Sequence, residues 1–207
     1  PRENYLVDLT LGENELLSRL SSRTRKKTRR AKLHGCTVRE LEEPEEFDEA
    51  VSLIQKLYSN KNVPMVDLSV FYRAQEKLSS KKLLRAIAVV NENRIIGARF
   101  TLNYADTVYD WYAASDMSYS KHYPNEALVW DTISWGCRNG YKIFDFGGGG
   151  VPGKYYGPAV FKEKFKGEKV EYGRYRWTSH PTALRVMEAL YEMRIKAAAR
   201  NKGLISK

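Results

Sequence analysis

The sequence predicts an α+β domain built on a central mixed, mostly antiparallel sheet flanked by helices. Three features of its 207 residues point there. Three strand-like segments follow one another from Leu84 to Ala114 with only short turns between them. Segments with helical spacing of apolar residues lie on both sides of that meander. A further aromatic-rich strand then runs directly into four glycines, Gly147-Gly148-Gly149-Gly150.

Taken in order, Tyr5–Thr10 reads as a short strand. One helix is expected from Glu13 to about His34, with Leu16, Leu17, Leu20, Thr24, Thr28 and Ala31 at 3–4 spacing and Gly35 as terminator. Cys36–Leu41 carries β-branched Thr37 and Val38 and reads as a strand. Pro44 opens a helix to about Asn60, with Phe47, Val51, Ile54, Leu57 and Tyr58 on one face. A turn at Pro64 leads to a second helix, about Leu68–Leu78. The meander follows as Leu84–Asn91, Arg94–Tyr104 and Thr107–Ala114, then a loop over 115–124. Asn125 to Asn139 reads as a helix that Asn125 caps, and Tyr141–Phe146 as the next strand. A short helix is expected to begin at Phe161, a last strand over Val170–Thr178 and a last helix over Pro181–Asn201.

Composition narrows the class. Hydrophobic residues make up 43% and aromatics 12%, which suits a globular chain. Cys36 and Cys137 are far apart and show no metal-ligand spacing, so neither a disulfide framework nor a metal centre is expected, and a reducing, cytoplasmic setting suits the chain. No apolar run reaches the ~18 residues that span a bilayer. The first residue is Pro1, so a preceding domain is expected.

The net charge of +10 is unevenly placed. Residues 23–32 hold seven basic groups and no acid, and residues 40–49 hold seven acids and no base. A basic segment of that density attracts polyanions. Its plainer reading is a solvated helix face partly neutralised by the acidic run.

The glycine run marks the candidate site. Glycines after a strand admit positive φ and let a substrate come close to backbone. The loop that follows holds Tyr155 and Tyr156, and the helix after it aims Lys162 toward the opening. A mobile turn with a surface lysine is the competing reading. Asp145, beside the glycines, is a site candidate or a buried acid that holds loop amides.

Two stretches resemble the Fem-type aminoacyltransferases. The first is Val7-Asp8-Leu9, Leu16–Leu20 and then Arg23 through Gly35, similar to that family's R…IRKAxKxG helix. The second is Tyr123-Pro124-Asn125-Glu126-Ala127-Leu128-Val129-Trp130, Gly140 through Gly148 and Phe161-Lys162-Glu163-Lys164-Phe165, similar to its PN-x-L…W…D-x-G-G…FKxxF pattern. The resemblance implies a GNAT-like acyltransferase fold over residues 1–207, the C-terminal half of a longer two-domain protein. It implies transfer of an amino acid from aminoacyl-tRNA to a peptide-bearing cell-wall precursor or related acceptor, with no cofactor. In that fold two neighbouring strands, here 107–114 and 141–146, splay around the acyl group.

By that resemblance Lys162 is the catalytic cation, with Phe161 fixing its direction. Tyr155, Tyr156, Gly148, Asn125 and Asp145 complete the substrate site, and Arg23, Arg25, Lys26, Arg29 and Arg30 hold nucleic-acid phosphate. Replacing Lys162 with Met is expected to change stability by less than about 1 kcal/mol.

Two other functions compete. An acetyl-CoA-dependent N-acetyltransferase of the same fold needs a glycine-rich loop against the pyrophosphate. The matching segment, Met117 to Asn125, contains no glycine. A non-catalytic nucleic-acid-binding module would use the basic face and stack bases on Trp111, Tyr112, Tyr155 and Tyr156.

Overall fold

The computed structural model describes residues 2–173 and 177–204, with side chains described through residue 194. They form two compact units, Pro1–Tyr172 and Gly173–Lys207. The second unit holds one helix, Pro181–Leu204, and the segment 174–176 of the expected last strand lies outside the described residues.

The first unit is a seven-stranded sheet. Its strands are β1 (Arg2–Asp8), β2 (Thr37–Glu40), β3 (Leu84–Asn91), β4 (Arg94–Tyr104), β5 (Thr107–Ser115), β6 (Ile143–Gly150) and β7 (Glu168–Tyr172). The spatial order is β2-β3-β4-β5-β6-β1-β7. Every neighbouring pair is antiparallel except β5–β6. The mixed, mostly antiparallel sheet of the sequence prediction is therefore present.

Helices cover both faces. They are α1 (Glu13–Arg19), α2 (Ser22–Leu33), α3 (Pro44–Asn60), α4 (Ser69–Leu78), α5 (Pro124–Arg138) and α6 (Gly157–Glu163). Side chains alternate across a strand, but the β3–β4 register shifts between Val89 and Val90, so Ile96 and Ala98 of β4 feed different cores. In β4, Ala98 and Phe100 pack with Phe47, Ile54 and Phe71 of α3 and α4. Ile96, with Ile87 and Val89 of β3, packs with Ala31 of α2 and Leu128 of α5. A third cluster joins Tyr5, Val7, Val108, Phe144 and Phe146 to Val129 and Ile133 of α5 and Phe165 after α6.

Three local expectations change. The helix expected over Glu13–His34 breaks in two. Leu20 is buried and extended at ψ 143, and Ser21 accepts from the Thr24 N–H at 3.2 Å, which starts α2 as an N-cap. Asn125 does not cap α5. The N-cap position is Tyr123 at φ 56, and the Asn125 side chain donates to Ser115 Oγ at 2.8 Å, tying α5 to the end of β5. The short helix begins at Gly157, not Phe161, because Pro158 supplies the fixed φ that suits a first turn.

The glycines belong to β6, not to a loop. β6 follows β1 in an irregular register: Leu6 faces Asp145, Asn4 faces Gly148 and Glu3 faces Gly150. Two shifts within so few residues require unusual backbone. Gly147 takes φ +68 and Gly150 φ +100, both costly for residues with a Cβ. A Cβ on Gly149 would stand 2.6 Å from Cε2 of the buried Tyr5 ring. That ring cannot swing away cheaply, since its hydroxyl donates to Glu163 Oε1 at 2.8 Å. Gly149→Ala is therefore expected to cost about 1–3 kcal/mol through overpacking. Chemical denaturation checks this, and an unchanged midpoint would mean that β1 yields without penalty.

Candidate functional site

The site forms where β5 and β6 part. Their parallel ladder holds at Thr107↔Ile143, Val108↔Phe144 and Tyr109↔Asp145, and stops there. Beyond it β5 bulges: Phe100 faces Tyr112 and Thr101 faces Asp110, leaving Trp111 as the extra residue. β6 meanwhile stays with β1. The two strands separate around a cavity of about 360 Å³. Tyr58 and Lys61 border it from the end of α3, and Tyr109, Asp110 and Trp111 from β5. Gly147 and Gly148 of β6, Tyr156, Pro158 and Lys162 complete the wall.

Lys162 lies in the last turn of α6. Its Nζ donates to Phe146 O at 2.5 Å and Gly148 O at 2.9 Å, two carbonyls of β6 past the end of the β5 ladder. Lys162 is thus not the surface lysine of the plainer reading. Burial lowers its pKa, with Arg99 acting in the same direction and Asp110 and Asp145 opposing it. Asp145 accepts from the Gly147 N–H at 2.7 Å and from Asn4 Nδ2 at 3.2 Å. It is the acid that holds the glycine turn, and burial raises its pKa against those hydrogen bonds. Burial, with contributions from Tyr112 and Asp110, pushes Tyr58 up to about 12, so its hydroxyl keeps its proton at neutral pH.

The remaining predicted residues divide. Gly148 and Tyr156 line the cavity with Lys162. Tyr155 is 89% exposed and Asn125 sits at the start of α5, and neither borders the cavity. Phe161 packs its ring 5.5 Å from Phe165 and anchors α6 to the core. On α2, Arg23, Lys26 and Arg29 are exposed at a spacing of three and share one face. Arg25 and Arg30 are half-buried. Arg25 donates to Ser18 O at 2.9 Å, and Arg30 lies 3.5 Å from the Tyr123 hydroxyl. The predicted phosphate-binding set is therefore three solvent-facing cations and two that brace the helix. Among the described residues no cluster of His, Cys, Asp and Glu is arranged to hold a metal.

Sequence reasoning missed Arg99. It lies in β4 with its side chain only 3% exposed, and its Nη1 is 2.6 Å from Asp110 Oδ1. A single charge within the apolar run Ile95–Phe100 was the available signal. His34 and His122, far apart in sequence, also meet, with ring centroids 5.0 Å apart.

The acetyltransferase (GNAT) domain family matches residues 18–163, and the chain belongs to that family. Its fold is similar to that of FemX, with TM-score 0.72 at 15% identity over 82% of this chain and 59% of that one. It is also similar to L-PGS from Bacillus licheniformis, with TM-score 0.58 at 17% identity over 81% and 57%. A possible acetyltransferase from Clostridium difficile 630 gives 0.52 at 11% identity over 69% and 97%. The chain thus spans less than two thirds of FemX and L-PGS. No curated protein matches it. The GNAT-like acyltransferase fold that the Fem-type motifs implied is the fold observed.

The expectation that Lys162→Met costs less than about 1 kcal/mol does not survive this geometry. Removing the ammonium strips two carbonyls of their donor, and each buried unsatisfied group costs about 1–3 kcal/mol. Exposed Lys164 and Lys166 lack such bonds, and their Met variants should match the parent in denaturation. Burial also lowers the folded-state pKa of Lys162 below its ordinary 10.5, so the unfolded chain binds this proton more tightly. Stability from this residue therefore rises with pH between the lowered value and 10.5, a slope that Lys162→Met should remove.

Proposed function

We propose that this chain is the acyl-transferring domain of a Fem-type aminoacyltransferase, taking an amino acid from aminoacyl-tRNA to the amine of a peptide-bearing acceptor. The observation that carries this reading is the position of Lys162 at the parting of β5 and β6. An ammonium has three donors. Two are committed to Phe146 O and Gly148 O, which leaves the third for an occupant of the cavity that Lys162 lines.

In the reaction the acceptor nitrogen forms a bond to the ester carbonyl carbon, whose oxygen becomes negative. The ester C–O bond then breaks, the tRNA hydroxyl leaves, and the proton lost by the amine ends on that hydroxyl or in water. No protein nucleophile is required. Lys162 supplies a fixed positive donor where the oxyanion develops, so it costs little reorganisation. The exposed stripe Arg23, Lys26 and Arg29 suits a phosphate backbone, which such side chains position without reading sequence. The reading includes an accompanying domain that carries most of the acceptor pocket, and a cytoplasmic setting. Within the described residues, no helix is long and apolar enough to cross a membrane.

The family also contains acetyltransferases, so acetyl-CoA is the second donor to consider. The entry to α5 disfavours it. The segment 117–125 has no glycine, and Tyr123 occupies the N-cap, so close backbone approach by a pyrophosphate is obstructed. Calorimetry with acetyl-CoA should show nothing saturable at micromolar levels. A 1:1 isotherm would promote the acetyltransferase reading.

Transfer from aminoacyl-tRNA, measured in the complete enzyme, should fall by ~10²–10³ in Lys162→Met, typical of losing one oxyanion donor. Parent-level transfer would remove Lys162 from the chemistry. For tRNA binding, the combined Arg23→Ala, Lys26→Ala and Arg29→Ala variant should weaken affinity and flatten its dependence on salt. An unchanged slope would leave α2 a plain solvated helix.

A further inference from the structure

The cavity holds a second charged feature that the transfer chemistry above leaves unused. Asp110 lines it from β5, and its side chain is 14% exposed. Behind it lies Arg99, almost fully buried. On β4, a Cβ at Gly97 would touch Leu128 and Pro124 of α5, and alternation places Arg99 on that same face. The guanidinium and carboxylate form an ion pair at 2.6 Å through Arg99 Nη1 and Asp110 Oδ1. Arg99 Nε is buried without a hydrogen-bond partner among the described residues, which leaves Asp110 as the ion partner of this guanidinium. The pair fixes the carboxylate at the cavity wall, where Asp110 keeps some exposure.

The groups around Asp110 narrow the partner. Tyr58, Tyr109, Trp111 and Tyr156 border the same cavity. Ring faces and a carboxylate both attract positive charge, so Asp110 among these aromatics makes an anionic subsite on a wall that also carries Lys61 and Lys162. The cavity is only about 360 Å³, which suits an aminoacyl group.

We propose that Asp110, positioned by Arg99, binds the α-ammonium of the aminoacyl donor and so selects aminoacyl over plain acyl groups. This rests on the function proposed above. The acceptor amine has the same chemistry but is the poorer occupant. It must be neutral to attack, and a neighbouring carboxylate favours its charged, unreactive form. In an aminoacyl group held by its ammonium at Asp110, the ester carbonyl is bonded to the carbon that bears the ammonium, so it lies within the cavity that Lys162 also lines. Arg99 is a positioning residue in this scheme and touches no substrate.

The test has a binding arm and a transfer arm. The binding arm titrates the chain with glycinamide, alaninamide and lysinamide against their N-acetyl counterparts, followed by ligand-observed NMR. At least one free amine should bind roughly tenfold to hundredfold more tightly than its acetylated form, the worth of one charge-assisted hydrogen bond. Asp110→Asn should erase that preference, as should Asp110→Asn combined with Arg99→Met, which avoids leaving the guanidinium unpaired. Equal binding of free and acetylated amides to the parent overturns the proposal without any variant. The transfer arm compares aminoacyl-tRNA with the same tRNA deaminated to the α-hydroxyacyl ester, in the complete enzyme. The parent should lose roughly tenfold to hundredfold in kcat/KM with the hydroxyacyl donor, and Asp110→Asn should treat both alike. Equal use of both donors by the parent overturns the donor assignment, even if the amides discriminate. If neither tRNA is a donor while the amides still discriminate, the proposed function falls and the ammonium site stands.

Discussion

Two strands that begin as parallel neighbours separate after three rungs, and most of the site follows from that separation. A sheet gains stability from each inter-strand hydrogen bond, so a ladder that stops early needs other partners for the groups it abandons. On its other edge β6 stays paired with β1, in a register that needs left-handed backbone at Gly147 and Gly150. The carbonyls of Phe146 and Gly148 take their donor from Lys162. One lysine thereby closes the hydrogen-bond account of the gap and puts a positive charge inside it. Its structural and proposed chemical roles are the same contact seen from two sides.

Charge in this region is balanced over several elements. Lys162 comes from α6, Asp145 from β6, Asp110 from β5 and Arg99 from β4. Removing any one leaves its neighbours with uncompensated burial, which is costlier than the net worth of the pair it breaks. Helix α6 sets this balance from outside the sheet. Phe161 and Phe165 pack it down, and Glu163 accepts from the Tyr5 hydroxyl, so the direction of Lys162 depends on side chains that never meet the cavity.

Much of the fold was legible in the chain because its periodicities are strong. The meander 84–115, helix α3 beginning at Pro44, and helix α5 ending before Gly140 fall within a residue or two of expectation. Lys162, Gly148 and Asp145 were legible through motif spacing and Tyr156 through its place in the loop after the glycines, and all four stand where the strands part. The single long helix over 13–34 was misread because a buried Leu20 continues the apolar stripe while its backbone is extended. The signal against it was Ser21, a cap residue whose significance depends on that break.

What the sequence determined by itself was the class of architecture, since alternation and helical spacing are local properties that each segment carries alone. It also showed where the glycines stand, though not why they are needed. Only the tertiary structure decided that the four glycines continue a strand, because the need for them arises from the Tyr5 ring and the shifted register of a strand some 140 residues away. Only tertiary structure paired Arg99 with Asp110, and brought Tyr58 and Lys61 from α3 to the cavity. Such encounters join distant segments across the sheet, and no local pattern records them. Each strand and helix is written in its own residues, whereas the cavity exists only in the space where they fail to meet.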